Sequence, residues 1–272
     1  MTHGSRQIAQ RAADRDCSAR ELVWFFAIAL GATAVLHGSI SLFGFHFSLS
    51  AGSAALPLYL LGLAAPAAAA LLLSGPKGRA RFLRTALRPR GSVAVYGAAI
   101  LAQSAALAVA WLLLRARADA APLRISASSA FPFLAIGQLW VVLGEELGWR
   151  AFALPRLEQL LSPRLATLVP GLAWGIWHAP MFLVAGSLQA RDPIWLFALA
   201  IFAWSCIHTA LHHRARPSVV PNLVFHGCAN LTLDLVVVPA EAQGGLAAAY
   251  ALVGLGTWLL LGRTQAARGA ST

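Results

Sequence analysis

SAFPFLAIGQLWVVLGEELGWRAFA, residues 129–153, sets two adjacent carboxylates and a guanidinium inside a long apolar segment. The charged residues are Glu145, Glu146 and Arg150. About 20 mostly apolar residues span a bilayer as a helix, and ionisable groups inside such a helix are costly and usually functional. The stretch therefore predicts a membrane-spanning helix that carries a polar site.

The composition of the whole chain is that of an integral membrane protein. Of its 272 residues, 58% are hydrophobic and 11% are charged, whereas soluble domains are about 45–50% apolar and about 25% charged. The net charge of +11 could indicate nucleic-acid binding in a soluble protein. Here most basic residues lie between apolar runs, so we attribute the charge to membrane topology and expect no nucleic-acid partner.

Apolar runs predict an all-α membrane bundle of about eight helices joined by short connections. Lys and Arg concentrate before the first run, in the connection 74–91 and on the same side further along. Cytoplasmic loops carry such an excess, so both termini should be cytoplasmic. We expect a tail over 1–21, one helical domain over 22–262 and a tail over 263–272. The predicted spans are approximately 22–44, 52–73, 92–114, 129–153, 165–186, 194–213, 218–238 and 245–262.

The two glutamates of the charged cluster in the fourth span could have different roles. Glu146 and Arg150 are four residues apart, the spacing at which a carboxylate and a guanidinium pair on a helix. Glu145 points about 100° away and is free to face another neighbour. One glutamate could therefore be structural and the other catalytic. A charge cluster that reaches to the membrane interface is the alternative.

Two further spans carry polar residues at a similar depth. His178 ends the stretch WGIWH, near the middle of the fifth span, and His226 and Asn230 share a face of the seventh. A histidine that bonds a nearby backbone group and a polar patch that joins two helices are the simpler readings. Because all these groups lie at roughly 12–20 Å from the cytoplasmic side, we expect one site built from three helices.

A second cluster of histidines lies at the end of the sixth span. His208 and His212 have a spacing that can bind a metal, and His213 follows directly. Their position beside Arg214 and Arg216 favours an interfacial, partly solvated role. The sequence lacks the HExxH motif of zinc proteases.

These motifs together resemble the CPBP family of intramembrane proteases, which includes the Rce1-like CAAX prenyl endopeptidases and bacteriocin-processing or immunity homologues. Glu145, Glu146 and Arg150 match EExxxR. His178 matches the histidine of FxxxH, with Trp174 in place of phenylalanine, and HxxxN follows. The resemblance covers about 135–235. We expect the aromatic replacement to leave the chemistry intact while altering local packing.

The resemblance implies an intramembrane endopeptidase that cuts a peptide bond near the cytoplasmic face. Glu145 would act as the base that activates water, with His178 sharing the proton or orienting the water. His226 and Asn230 would donate to the oxyanion of the tetrahedral intermediate. The implied site is Glu145, His178, His226 and Asn230, supported by Glu146 and Arg150.

Cofactor, partner and location are expectations of the same resemblance. We expect no cofactor, with zinc held by Glu145, His178 and His226 as the alternative. The partners would be the lipid bilayer and a peptide or membrane-protein substrate, including lipid-modified ones. The composition looks bacterial, which would place the protein in the inner membrane. The competing functions are a non-enzymatic immunity factor or scaffold and, less favoured, a proton-coupled transporter.

Overall fold

Helices make up most of the part of the chain that the computed structural model describes, residues 3–47, 53–115, 124–125, 131–187, 189–190, 193–237 and 240–269. The α-helices are α1 His3–Leu42, α2 Ala55–Leu73, α3 Gly75–Ala86, α4 Val93–Arg115, α5 Phe131–Glu146, α6 Leu154–Leu160, α7 Pro163–His178, α8 Ile194–Ala215, α9 Val220–Leu235 and α10 Ala240–Gly269. A π-helix covers Leu147–Ala153, a 3-10 helix covers Ala179–Leu183, and β1 Arg124–Ile125 pairs antiparallel with β2 Val236–Val237.

The all-α membrane bundle predicted from the sequence is confirmed. Within the described residues, five helices are long and apolar enough to cross a membrane; they lie in α1, α2, α4, α8 and α10. The other three predicted spans coincide with α5, α7 and α9, which have 16 residues each. The number of eight spans and the cytoplasmic position of both termini stay predictions.

Helix boundaries differ from the predicted ones in three places. Helix α1 begins at His3 and α10 runs to Gly269, so both enter segments predicted as tails. The connection 74–91 contains α3, a short helix with four basic residues, Lys77, Arg79, Arg81 and Arg84. A basic helix next to apolar spans is suited to the membrane surface.

The chain changes helix type directly after Glu146. Helix α5 ends there, and the π-helix leads on into α6. The backbone N–H of Leu154 donates to the carbonyl of Trp149, five residues back. Pro155 follows, and a proline has no N–H and clashes with the carbonyl four residues before it. The wider π turn accommodates this proline, and such turns are frequent at functional sites.

Glycines let this segment lie directly against α2. A Cβ at Gly144 would lie 2.4 Å from the carbonyl oxygen of Leu63, and one at Gly148 would lie 2.4 Å from Cβ of Pro66. Small residues allow close approach of helices in membranes. The two glutamates are thus carried between two positions at which α2 leaves no room for a side chain.

Pro66 also creates a hydrogen-bond chain that fixes α7. As a proline it leaves the carbonyl of Gly62 without its usual helical donor. The Thr33 hydroxyl of α1 donates to that carbonyl at 3.0 Å, and the Trp177 indole N–H of α7 donates to the Thr33 hydroxyl at 2.6 Å. This chain holds α7, which carries His178 at its end, to α1 and α2.

Candidate active site

Glu146 is the most heavily contacted carboxylate in the part of the chain described. It is fully buried. Its Oε1 accepts hydrogen bonds from Arg150 Nη1 at 3.2 Å and from His226 Nδ1 at 2.8 Å. Its Oε2 lies 3.3 Å from His208 Nδ1. The predicted pairing of Glu146 with Arg150 is present in the structure, and α8 and α9 each bring a histidine to the same carboxylate.

Glu145 lies beside this cluster and has a different neighbour. It is 2% exposed, and its Oε2 accepts a hydrogen bond from the indole N–H of Trp174 on α7. The Arg150 guanidinium lies 4.3 Å from the centroid of the Trp174 ring, within the range of a cation–π interaction. Trp174 therefore contacts both Glu145 and the arginine that holds the other glutamate.

Because of this contact, the aromatic replacement in the second motif affects hydrogen bonding as well as packing. We expected Trp174 to affect packing alone. A phenylalanine has no N–H, so it could not make the hydrogen bond to Glu145. The sequence shows that position 174 carries an indole N–H donor, but it does not show which way that side chain points.

His178 lies one helical turn beyond the same tryptophan on α7. Its Nδ1 lies 2.8 Å from the backbone carbonyl of Trp174, to which it can donate. Its ring packs against the rings of Trp177 and Phe197, with centroids 4.7 and 5.1 Å away. The Nδ1 contact fixes the tautomer and leaves Nε2 of the neutral ring as an acceptor.

Asn230 lies one turn beyond His226 on α9 and contacts α5. Its side-chain N–H₂ donates to Gln138 Oε1 at 2.8 Å, and Gln138 donates in turn to Asp234 at 3.1 Å. The sequence placed Asn230 on the face of His226, but it did not indicate its partner Gln138 on α5. The amide has a second N–H beside the one that bonds Gln138.

His208 is the residue that sequence reasoning misplaced. We expected an interfacial, partly solvated histidine, but it is fully buried beside Glu146. Asn222 of α9 anchors it by donating to the His208 backbone carbonyl at 2.8 Å, with the same N–H₂ lying 3.0 Å from Nδ1. His212 is also buried. Helix α8 packs against α7, α9 and α10, so little of its surface is left exposed at these two histidines.

A cation could fit among three of these residues. One ligand atom each of Glu146, His208 and His226 lies within 4.8 Å of the others, and no other such group occurs among the described residues. Carboxylate and imidazole are zinc ligands, and His208 Nε2 is buried without a partner. The donor types therefore fit zinc. This set shares only His226 with the predicted ligands.

The fold and this geometry define a class: a polytopic membrane protein with a buried carboxylate and imidazole site built from several helices. Residues 127–232 match the family model described as "Type II CAAX prenyl endopeptidase Rce1-like". The chain is also 30% identical over 105 residues to CAAX prenyl protease 2 of Methanococcus maripaludis.

These matches support the resemblance to the CPBP and Rce1-like family for the segment that carries the site. The aligned region covers 36% of this chain and 39% of the archaeal relative, so the chain spans about two fifths of that relative's length.

Proposed function

We propose that the protein is an intramembrane endopeptidase in which Glu145 activates a water molecule for attack on a peptide bond near the cytoplasmic face. The family match and the name of the archaeal relative support a membrane endopeptidase in general. The assignment of the base is our inference from the side-chain contacts.

The observation that carries this proposal is the difference between the two glutamates. Glu146 has Arg150, His226 and His208 around its two oxygens. Glu145 has one hydrogen-bond partner within the described residues, the Trp174 indole, and that bond uses a single oxygen. A general base needs a lone pair free for the proton it takes. Glu145 has that capacity at its other oxygen. Glu146 Oε2 also has no hydrogen-bond partner, but Arg150 and His226 both hold its Oε1 in place, which suits a positioning role.

The other residues act around this base. His178 Nε2 would accept a hydrogen bond from the water and orient it. His226 and Asn230 would donate to the developing oxyanion. Because Nδ1 of His226 donates to Glu146, its ring offers a second N–H only when it is doubly protonated.

Zinc would change one part of this scheme. An ion held by Glu146, His208 and His226 would supply a Lewis acid for the carbonyl oxygen or the water. Glu145 is outside that ligand set and would keep its role as base. Arg150 would compete with the ion, because its guanidinium lies 3.2 Å from Glu146 Oε1.

Substrate and location complete the proposal. The substrate class is a peptide or membrane protein, including lipid-modified termini of the CAAX type, and the location is the bacterial inner membrane. A non-enzymatic immunity factor or scaffold of the same fold is the competing function. A complete set of candidate catalytic groups favours the enzyme, since a scaffold has no need of buried, unsatisfied ionisable groups.

Cleavage of a peptide pool by the purified protein in detergent tests the proposal. The pool would contain membrane-associated peptides, including prenylated CAAX-like ones. The comparison is wild type against Glu145→Gln, which keeps the size of the side chain and removes the base, each with and without a strong zinc chelator. Glu158→Gln is the matched control, since it makes the same change at a glutamate outside the site.

We expect cleavage by wild type and by the control, and a loss of at least about 100-fold in Glu145→Gln. Loss under chelation that added zinc restores would support the metal-bound scheme. Full activity in Glu145→Gln would remove this residue from the mechanism. Absence of cleavage across the pool would favour the non-enzymatic function.

A further inference from the structure

A strongly basic cavity lies away from the proposed active site. Its volume is about 580 Å³. It is formed where the connection between α3 and α4 meets the end of α8, and arginines make up most of its wall. Among the described residues, no acidic side chain lines it. The lining residues are Arg88, Pro89, Arg90, Gly91, Arg214, Ala215 and Arg216.

Two features of the main chain lie beside this cavity. The N–H of Val219 donates to the carbonyl of Ala86 at 2.8 Å, which ties the start of α9 to the end of α3. Gly91 has a φ of +107°, and a Cβ there would lie 3.6 Å from Cβ of Ala215. Only glycine adopts this backbone readily. The main chain therefore fixes the ends of α3, α8 and α9 beside the cavity.

The arginines in the cavity are poorly neutralised by the protein. Arg216 pairs with Glu158 at 3.2 Å, and Arg214 donates to the backbone carbonyl of Ala210 at 3.2 Å. Within the described part of the chain, Arg88 and Arg90 have no hydrogen-bonded or ion-paired partner. All four arginines are exposed residues. A bound anion would relieve their mutual repulsion, and guanidinium groups bind phosphate oxygens in pairs.

The surroundings of the cavity favour a lipid over a soluble anion. The apolar helix α4 begins at Val93, two residues after Gly91, and its span continues to Leu112. Val93 is 89% exposed and Leu101 is 62% exposed. Apolar side chains of such exposure on a membrane helix face acyl chains. A headgroup in the cavity would have its tails directly against this surface.

We propose that the cavity binds the phosphate headgroup of an anionic phospholipid, with its acyl chains along the outer face of α4. The alternative is that these arginines serve membrane topology alone, as basic residues of cytoplasmic loops generally do. In that case their position in a cavity would have no effect on lipid selection. Basic residues at a membrane surface attract anionic lipids in general, so the test must separate this cavity from the surface charge around it.

Lipid binding by the full-length protein in detergent distinguishes these cases. Native mass spectrometry would count lipids retained from dioleoylphosphatidylglycerol and from dioleoylphosphatidylcholine. The test variant is Arg88→Gln/Arg90→Gln. The matched control is Lys77→Gln/Arg84→Gln, which removes the same charge from the neighbouring helix α3 outside the cavity. Thermal unfolding without lipid shows that each variant is folded, and competition with millimolar inorganic phosphate tests a soluble ligand.

We expect wild type to retain phosphatidylglycerol in preference to phosphatidylcholine. The cavity variant should bind phosphatidylglycerol at least about tenfold more weakly than wild type. The control variant should stay within about twofold of wild type, and inorganic phosphate should not displace the lipid. Equal losses in the two variants would overturn the proposal, since general surface charge would then explain the binding. Equal retention of both lipids, or displacement by phosphate alone, would overturn it too.

Discussion

Replacing Trp174 with phenylalanine isolates the hydrogen bond to Glu145. The change keeps an aromatic ring at the centre of the site and removes the indole N–H that donates to Glu145 Oε2. A hydrogen bond to a charged group contributes about 1.5–3 kcal/mol. The smaller ring also leaves a gap in the packing, and this second effect must be separated from the first.

A double-mutant cycle makes that separation without any substrate. Glu145→Met removes the acceptor and keeps a side chain of similar length. The packing cost of Trp174→Phe is the same with Glu145 or with methionine, whereas the hydrogen bond is lost only where Glu145 is present. We expect a coupling free energy of about 1.5–3 kcal/mol. Titration of SDS into mixed micelles, followed by circular dichroism, measures the free energy of unfolding.

Catalysis should respond in parallel. If the N–H holds Glu145 in position for water, Trp174→Phe should lower kcat/KM by about 10- to 150-fold. Trp140→Phe is the matched control, because its N–H donates to the backbone carbonyl of Leu60 on α2, away from the glutamates. That variant should lose stability and keep most of its activity. A coupling energy near zero, together with unchanged kcat/KM in Trp174→Phe, would refute the reasoning.

Packing, charge and positioning each give one more expectation. Gly148→Ala should lower the unfolding free energy by about 1–3 kcal/mol, while Gly137→Ala, whose Cβ meets nothing within 4 Å, should have little effect in the same SDS titration. Burial acts to raise the pKa of the Glu158 carboxyl, yet its histidine hydrogen bond and the charge of Arg216 hold it below the ordinary 4.5. Its ionised form therefore stabilises the fold above pH 4.5 and loses this effect as the pH falls further, so the difference in Tm between wild type and Glu158→Gln should shrink in acid. His208→Gln should lower kcat by up to about 100-fold with KM little changed, measured by cleavage kinetics, since Glu146 would shift.

The sequence predicted the class of fold because hydropathy alone decides it. Runs of about 20 apolar residues have few folded forms outside a membrane. The sequence predicted the ends of the helices less well. A helix can continue beyond its apolar run into water, because its backbone hydrogen bonds form there too. Helix α3 was missed for a related reason: its Gly75–Ala86 stretch is basic and starts with Gly-Pro, which reads as a loop.

Within the site, contacts along one helix were predictable and contacts between helices were not. Glu146 and Arg150 are four residues apart on one segment, so their pairing follows from helix geometry. Trp174 and His208 reach the glutamates from α7 and α8, and the outcome depends on the rotation of each helix about its axis. In a soluble helix the apolar face reveals that rotation. A membrane helix is apolar both toward lipid and toward its neighbours, so the signal is lost.

This reasoning identifies where further positioning residues must be sought. A polar side chain in an apolar span has no favourable place on the lipid side, so it turns inward even when nothing in its own helix explains it. His208 behaved in this way, although the basic residues that follow it suggested an interface. Gln103 of α4 does so as well: it is 2% exposed and bonds Trp204 and Tyr250 of α8 and α10. A polar residue within a membrane span is therefore better predicted to face the interior of the bundle. A position at the membrane interface should be assigned only when the structure shows that the side chain is exposed.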